Sequence, residues 1–196
     1  MSLRVLALAL ALGCQGTSSD PPAQASAAAP APVPPGTRIE ARRNGVLEAT
    51  VITGNPCHAT VGAIDASVAG PPLLADIGGV RWTGETSANG TTLRKGLEPA
   101  ARIFDSGDST TIFDPAGVPL LRVVQQGDSA TQRNAARQTT RFLGVKGGAI
   151  IISAPSGDSS VTGTADLLLA AVLTAPEISP EVRALAACHR LLPEKN

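Results

Sequence analysis

The chain has 196 residues, and its 16 basic and 16 acidic side chains give a formal net charge of zero. No window carries a long run of one sign, which argues against nucleic acid and acidic membrane surfaces as partners because both need concentrated positive charge. Aromatic residues are scarce, with three Phe, one Trp and no Tyr. This composition disfavours extensive stacking on sugars or on single-stranded bases.

The N-terminus has the pattern of an export signal. Arg4 supplies a positive charge, residues 5–12 are apolar, and Cys14 follows near the point where a signal peptidase cuts. The stretch 10–14, Leu-Ala-Leu-Gly-Cys, resembles the lipobox of bacterial lipoproteins, with its second and third residues in swapped order relative to the usual pattern. The resemblance implies that the signal peptide 1–13 is removed and that Cys14 carries a diacylglycerol. The alternative is an ordinary secretory signal with a bystander cysteine.

Residues 14–36 are predicted to be a disordered tether that begins at the lipidated cysteine. This stretch is rich in Pro, Ala and Ser, and such side chains cannot build a core. In an extended, polyproline-like form it would span several nanometres, at about 3 Å per residue. Gln15, in place of Asp, resembles the pattern of lipoproteins that are sorted to the outer membrane. The predicted location is therefore the outer membrane of a Gram-negative bacterium.

Residues 37–196 are predicted to form one β-rich domain, since about 160 residues is a normal single-domain size. The predicted strands are 45–53, 58–66, 79–84, 91–94, 100–105, 110–113, 119–124, 130–133, 138–145, 149–153 and 159–162. Four turn sequences recur at intervals of 20 residues, at 94–97, 114–117, 134–137 and 154–157. In the third of them Arg137 stands where a positive φ would favour Gly. Two strands per 20 residues is typical of an antiparallel meander, and any β-domain has strands at comparable spacing.

Two helices are predicted at the C-terminus. Residues 166–175 are apolar on every face between a capping Asp166 and a terminating Pro176, which predicts a short helix that is buried on all sides. The second helix, 180–192, is amphipathic, and its Val182 is expected to be only partly enclosed. The predicted fold is mainly β with C-terminal helices, an antiparallel meander or barrel wrapped around the apolar helix.

This order of strands and helix resembles the tubby and phospholipid-scramblase β-barrel superfamily, in which a closed antiparallel barrel surrounds a central hydrophobic helix. The matching features are the strands and turns of 91–162 and the helix 166–175, about half of the folded part. The resemblance implies a lipid- or partner-binding module and not an enzyme. Fold analogy alone says little about function, and no aligned cluster of basic residues for a phosphoinositide headgroup is visible in the sequence.

Two cysteines remain besides Cys14. In an exported protein the pair Cys57 and Cys188 is most simply explained by one disulfide, which would close a loop of about 130 residues. Each is followed by a histidine, His58 and His189, so a Cys2His2 zinc site is the alternative. Adjacent Cys-His pairs seldom chelate one ion, because neighbouring side chains point in different directions on strands and helices. The disulfide is preferred, and no metal or other cofactor is predicted.

The sequence offers no catalytic residues. Ser and Asp are frequent at 105–109 and 156–159, where turns are expected and where such side chains bond the local backbone. We therefore expect a lipid-anchored, non-catalytic binding or structural domain that meets the membrane through its lipid and binds no nucleic acid. Lipid, protein and envelope polymer all stay open as its ligand. The alternative is an envelope hydrolase that uses a Ser or Asp from a loop.

Overall fold

The structure is a computed structural model that describes residues 33–192. The signal peptide, Cys14 and most of the predicted tether lie outside the described residues. Fourteen antiparallel strands and two C-terminal helices make up the described part. The strands are β1 Arg38–Arg43, β2 Val46–Ile52, β3 Cys57–Val61, β4 Ile64–Ala69, β5 Leu73–Ile77, β6 Val80–Ser87, β7 Gly90–Lys95, β8 Glu98–Asp105, β9 Ser109–Phe113, β10 Pro119–Gln126, β11 Ser129–Arg133, β12 Thr139–Lys146, β13 Ala149–Ser153 and β14 Ser159–Thr162. The helices are α1 Leu167–Thr174 and α2 Pro180–Leu191.

Each strand pairs with the next in sequence, and β14 pairs with β1, so the sheet closes into a barrel with no free edge. The predicted fold class, mainly β with C-terminal helices, is confirmed. The sequence-based prediction missed β1 and β5. It also merged β3 and β4, which are separated by a tight turn where Gly62 has a φ of +58°. The β-branched residues of these strands alternate with polar ones, which suits a sheet with one buried and one exposed face.

The meander gives the barrel two distinct ends. The end that carries the β2–β3 turn (53–56) and every second turn after it is called the entry end. The opposite end, which carries the β1–β2 turn (44–45) and every second turn after it, is called the far end. α1 begins at the entry end, because it follows β14, and α2 returns to that end. Residues 33 and 192, the limits of the described chain, therefore both lie there.

The expected wrapping of the barrel around one apolar helix is wrong. α1 is buried along its whole length, as predicted, and packs mainly against β1, β2 and β10 to β13. The neighbouring part of the barrel, β2 to β5 and also β8, packs against α2, and the two helices contact each other. A closed sheet of 14 strands has too long a buried face for eight helical residues to cover. The amphipathic α2 supplies the rest of the cover.

The buried faces of the strands and both helices form one hydrophobic core. Small and β-branched residues dominate its strand side, for example Ala49, Val51 and Ala59, which lets the helices approach the sheet closely. Val182 on α2 is only 5% exposed, so the expectation that it would be partly enclosed is wrong. The apolar stripe of α2 is fully covered because it packs against β2 to β5 and against α1.

The turns with the 20-residue interval are confirmed for the last three hairpins. In each, the amide of the fourth residue of the turn donates to the carbonyl of the first: Gly117 to Asp114 at 3.0 Å, Arg137 to Asn134 at 2.9 Å, and Gly157 to Ala154 at 3.0 Å. The first of the four predicted turns, 94–97, differs from the prediction. There β7 continues through Lys95, and the turn consists of Gly96 and Leu97 alone.

Leu169 tests whether α1 is the centre of the core. It is fully buried, so we expect Leu169→Ala to leave a cavity and to lower the free energy of unfolding by about 2 to 5 kcal/mol. Leu169→Asp should prevent folding, because it would bury a charge without a partner. Chemical denaturation measures both, with Leu97→Ala, at a 92% exposed position, as the control that should change little. Wild-type thermal stability of Leu169→Asp would contradict this account of the core.

Arg137 offers a test of the turn chemistry. Its φ of +62° is a conformation that strains a residue with a Cβ and suits glycine. We expect Arg137→Gly to raise the free energy of unfolding by about 0.5 to 1 kcal/mol, the relief of strain exceeding the extra flexibility of the unfolded chain. Arg137→Ala is the matched control, because it removes the same side chain and keeps the Cβ. Equal stability of the two variants in denaturant titrations would show that the turn is unstrained.

Candidate binding surface

The predicted disulfide is present. Cys57 on β3 and Cys188 on α2 are joined by an S–S bond, with their Cα atoms 5.7 Å apart and a sequence separation of 131. Both side chains are fully buried. The bond ties the end of α2 to the barrel at the entry end.

The zinc alternative is wrong, because sulfurs bonded to each other are not available as thiolate ligands. His58 is exposed on the outer face of β3, whereas Nε2 of His189 lies 3.2 Å from the Thr91 hydroxyl. No group of three or more His, Cys, Asp and Glu side chains within residues 33–192 could hold a metal ion.

Three arginines converge on the C-terminus of α1 at the far end. Arg141 donates to the carbonyl oxygen of Thr174 at 2.7 Å, and Arg43 donates to the same oxygen at 3.1 Å. Arg183 donates to the carbonyl of Leu173 at 3.2 Å. The last carbonyls of a helix have no partner within it, and burial makes an unpaired one costly. The three guanidinium groups therefore supply hydrogen-bond donors to the last carbonyls of α1. Their positive charge also complements the negative end of the helix dipole.

Acidic and amide side chains balance these arginines. Glu48 lies 3.3 Å from Nε of Arg43, Glu177 lies 4.0 Å from Arg141, and Gln132 donates to Glu177 at 3.4 Å. Burial lowers the pKa of Arg141 from its ordinary value, and nearby Glu177 opposes that shift. Most of its hydrogen bonds are made among its own members, while Glu48 Oε2 and Arg183 Nε are buried without a partner among the described residues. The contacts that are made support the C-terminus of α1.

The N-terminus of α1 is held by a second polar cluster at the entry end. One carboxylate oxygen of Asp166 accepts from the amides of Leu168 and Leu169 at 3.0 Å each, as predicted for an N-cap. Its other oxygen accepts from Nε of Arg190 on α2 at 2.5 Å, and Arg190 also lies 3.5 Å from Asp105. This cluster connects the start of α1, the end of α2 and the β8–β9 turn, and its role is likewise structural.

The loop residues considered for catalysis bond to their neighbours. The hydroxyls of Ser106 and Ser109 lie 2.6 Å apart, and the Thr110 hydroxyl donates to the carboxylate of Asp105. The backbone of the same turn is also bonded locally, with the amide of Ser106 donating to the carbonyl of Ser109 at 2.9 Å. The geometry matches the local, turn-stabilising role expected of such sequences.

The outer face of the barrel carries a different group of residues. All three phenylalanines of the chain point outward, on β8, β9 and β12, and none belongs to the core. Phe142 is 63% exposed and Phe104 is 41% exposed, whereas Phe113 is half-buried under the guanidinium of Arg102, which lies 4.9 Å from the ring centre. A protein with so few aromatic residues would be expected to use them in its core.

Two more arginines lie on the same wall. Arg122 on β10 and Arg133 on β11 are directly opposite each other in the sheet, and both are exposed. Like charges in this position repel each other. Among the described residues neither forms an ion pair with a carboxylate, and β9 to β13 contain no Asp or Glu.

We call this wall the Arg–Phe face and define it by its outward side chains. They are Arg102, Phe104, Phe113, Arg122, Arg133 and Phe142. Unlike the two clusters at the barrel ends, it has unpaired charge and exposed aromatic surface, both of which a bound partner would cover. It is the candidate binding surface of the described domain.

Sequence reasoning missed the Arg–Phe face because its residues are far apart in the chain. The sequence contains no run of basic residues that would indicate this surface. The 20-residue interval held the relevant information, since Arg102, Arg122 and Phe142 occupy equivalent positions in successive hairpins. In a meander with that period, equivalent positions share one side of the sheet.

No family model, curated protein or solved structure matches this chain. The resemblance to the tubby and phospholipid-scramblase superfamily therefore stays a prediction, and the helix pair departs from the single central helix of that pattern. Neither described helix is long and apolar enough to cross a bilayer.

The disulfide should contribute substantially to stability. Crosslinking residues 131 apart restricts the unfolded chain, and we expect Cys57→Ser combined with Cys188→Ser to lower the free energy of unfolding by about 3 to 5 kcal/mol. Reduced wild-type protein should behave like this variant in denaturant titrations. Two free thiols in protein isolated without reductant would contradict the assignment.

Proposed function

We propose that this chain is a lipid-anchored protein of the bacterial cell envelope whose barrel is a non-catalytic binding module. The observation that carries the binding role is the Arg–Phe face, where Arg122 and Arg133 face each other without a carboxylate partner. The repulsion between two like charges directly opposite each other destabilises the free sheet, and an anion bound between the two guanidinium groups would relieve it. The acidic residues nearest in sequence, Asp114 and Asp128, lie in the turns of this segment, and the strands β9 to β13 themselves contain none.

Two features support the anchor and the envelope location. The first 14 residues resemble a lipoprotein signal that ends in Cys14, and a disulfide such as Cys57–Cys188 persists in exported proteins and is rare in the cytosol. Gln15 favours sorting to the outer membrane of a Gram-negative organism. The chain enters the barrel at the entry end, so a tether from the membrane would leave the whole outer wall accessible to a partner.

The anchor is tested by metabolic labelling with a fatty-acid analogue. We expect the wild-type protein to incorporate label and to fractionate with membranes, and Cys14→Ser to lose both properties, because acylation requires the Cys14 thiol. Double replacement of Cys57 and Cys188 by Ser is the control, and label should persist there since both thiols are in the disulfide. Equal labelling of Cys14→Ser would rule out the anchor at this position.

A further inference from the structure

We infer that the Arg–Phe face binds an acidic polysaccharide, a linear sugar chain with a repeated anionic group. The inference rests on the proposed envelope location, because export places the domain among surface glycans, and it specifies the ligand that the proposed function leaves open. Three observations carry it: the spacing of the arginines, the convex shape of the wall and the placement of the aromatic rings.

The arginines form an oblique row across the strands. Arg122 on β10 lies across β9 from Phe104, because both pair with Thr111, so Arg102 is two residues further along β8 and about 12 Å from Arg122 in all. Arg133 on β11 is one strand interval from Arg122, about 5 Å. Because Arg122 and Arg133 are directly opposite each other, both can bind one anionic group of the polymer. Arg102 then binds a neighbouring anionic group of the same polymer. A linear polymer with regularly repeated charges matches this row better than a single small anion does.

The shape of the wall favours a flexible chain over a rigid partner. β8 to β12 belong to a closed barrel, so their outer face is convex, and a globular partner would touch it only along a narrow strip. A stable protein interface buries about 800 Å² on each side around a desolvated centre. A polysaccharide can follow the curvature and contact several strands in succession. This geometry therefore favours a polymer over an acidic protein surface.

Three phenyl rings are too few for extensive stacking, but they can provide single apolar contacts of the kind that sugars use. Sugar rings pack their C–H faces against aromatic rings while their charged groups stay in hydrogen-bonding range of neighbouring side chains. Phe113 lies under Arg102, and Phe142 pairs with Thr131, two positions from Arg133 on the same outward face. Each end of the arginine row thus has a ring beside it. Guanidinium groups suit the purpose, because their planar fork matches carboxylate and phosphate oxygens.

The test uses the full mature chain with Cys14→Ser, so that it does not depend on lipidation. Binding of polygalacturonate, a polyuronate, is measured by affinity electrophoresis, with dextran as the neutral polysaccharide. We expect polygalacturonate to retard the protein, dextran to have no effect, and added NaCl to weaken the retardation by screening. Arg122→Gln combined with Arg133→Gln should raise the apparent Kd at least tenfold, and Phe142→Ala should raise it severalfold.

The control variant is Arg38→Gln combined with Arg81→Gln, which removes the same charge from exposed positions on β1 and β6. It should bind like the parent protein, because its substitutions lie away from the Arg–Phe face. Since both double variants have the same net charge, weaker binding by the Arg122 and Arg133 variant alone cannot come from net charge. Unchanged binding by the Arg122 and Arg133 double variant, equal binding of dextran, or no binding of polygalacturonate would overturn the inference. Tighter binding of polyglutamate or single-stranded DNA than of polygalacturonate would also overturn it, by identifying another class of polymer. Failure of fatty-acid labelling would refute the anchor and leave this measurement intact.

Discussion

The burial of α1 is the constraint on which the rest of the structure depends. Eight helical residues without a polar face are stable only where every side is covered and both ends of the backbone find partners. Asp166 provides the partner at the first end and the three far-end arginines provide it at the second. These charges are possible in the core because each pairs with a backbone group or a neighbouring side chain.

The same constraint explains the second helix and the disulfide. α1 covers only one part of the barrel, so α2 must cover the adjoining strands, and it is held there through Arg183 near its start and Cys188 near its end. Arg190 further links α2 to the cap of α1. Helix pair and barrel therefore stabilise each other, and separating them would expose apolar surface and unpaired backbone groups together.

Charge is distributed differently inside and outside the barrel wall. The arginines at the barrel ends are enclosed and paired, whereas Arg122 and Arg133 point away from the core and meet only each other. The aromatic residues show the same division, since Trp82 is buried and the three phenylalanines are not. Aliphatic residues, together with Trp82, fill the core, and the phenyl rings lie outside it on the barrel wall.

The sequence by itself determined the local features: the cysteine parity, the helix caps at Asp166 and Ser179, and the last three hairpin turns at 20-residue intervals. Each depends on residues close together in the chain or on their number. Closure through β14 and β1, the cover supplied by α2 and the alignment of Arg122 with Arg133 were decided by the tertiary structure. They depend on strand register and curvature, and a one-residue change in register would turn those arginines toward the opposite face.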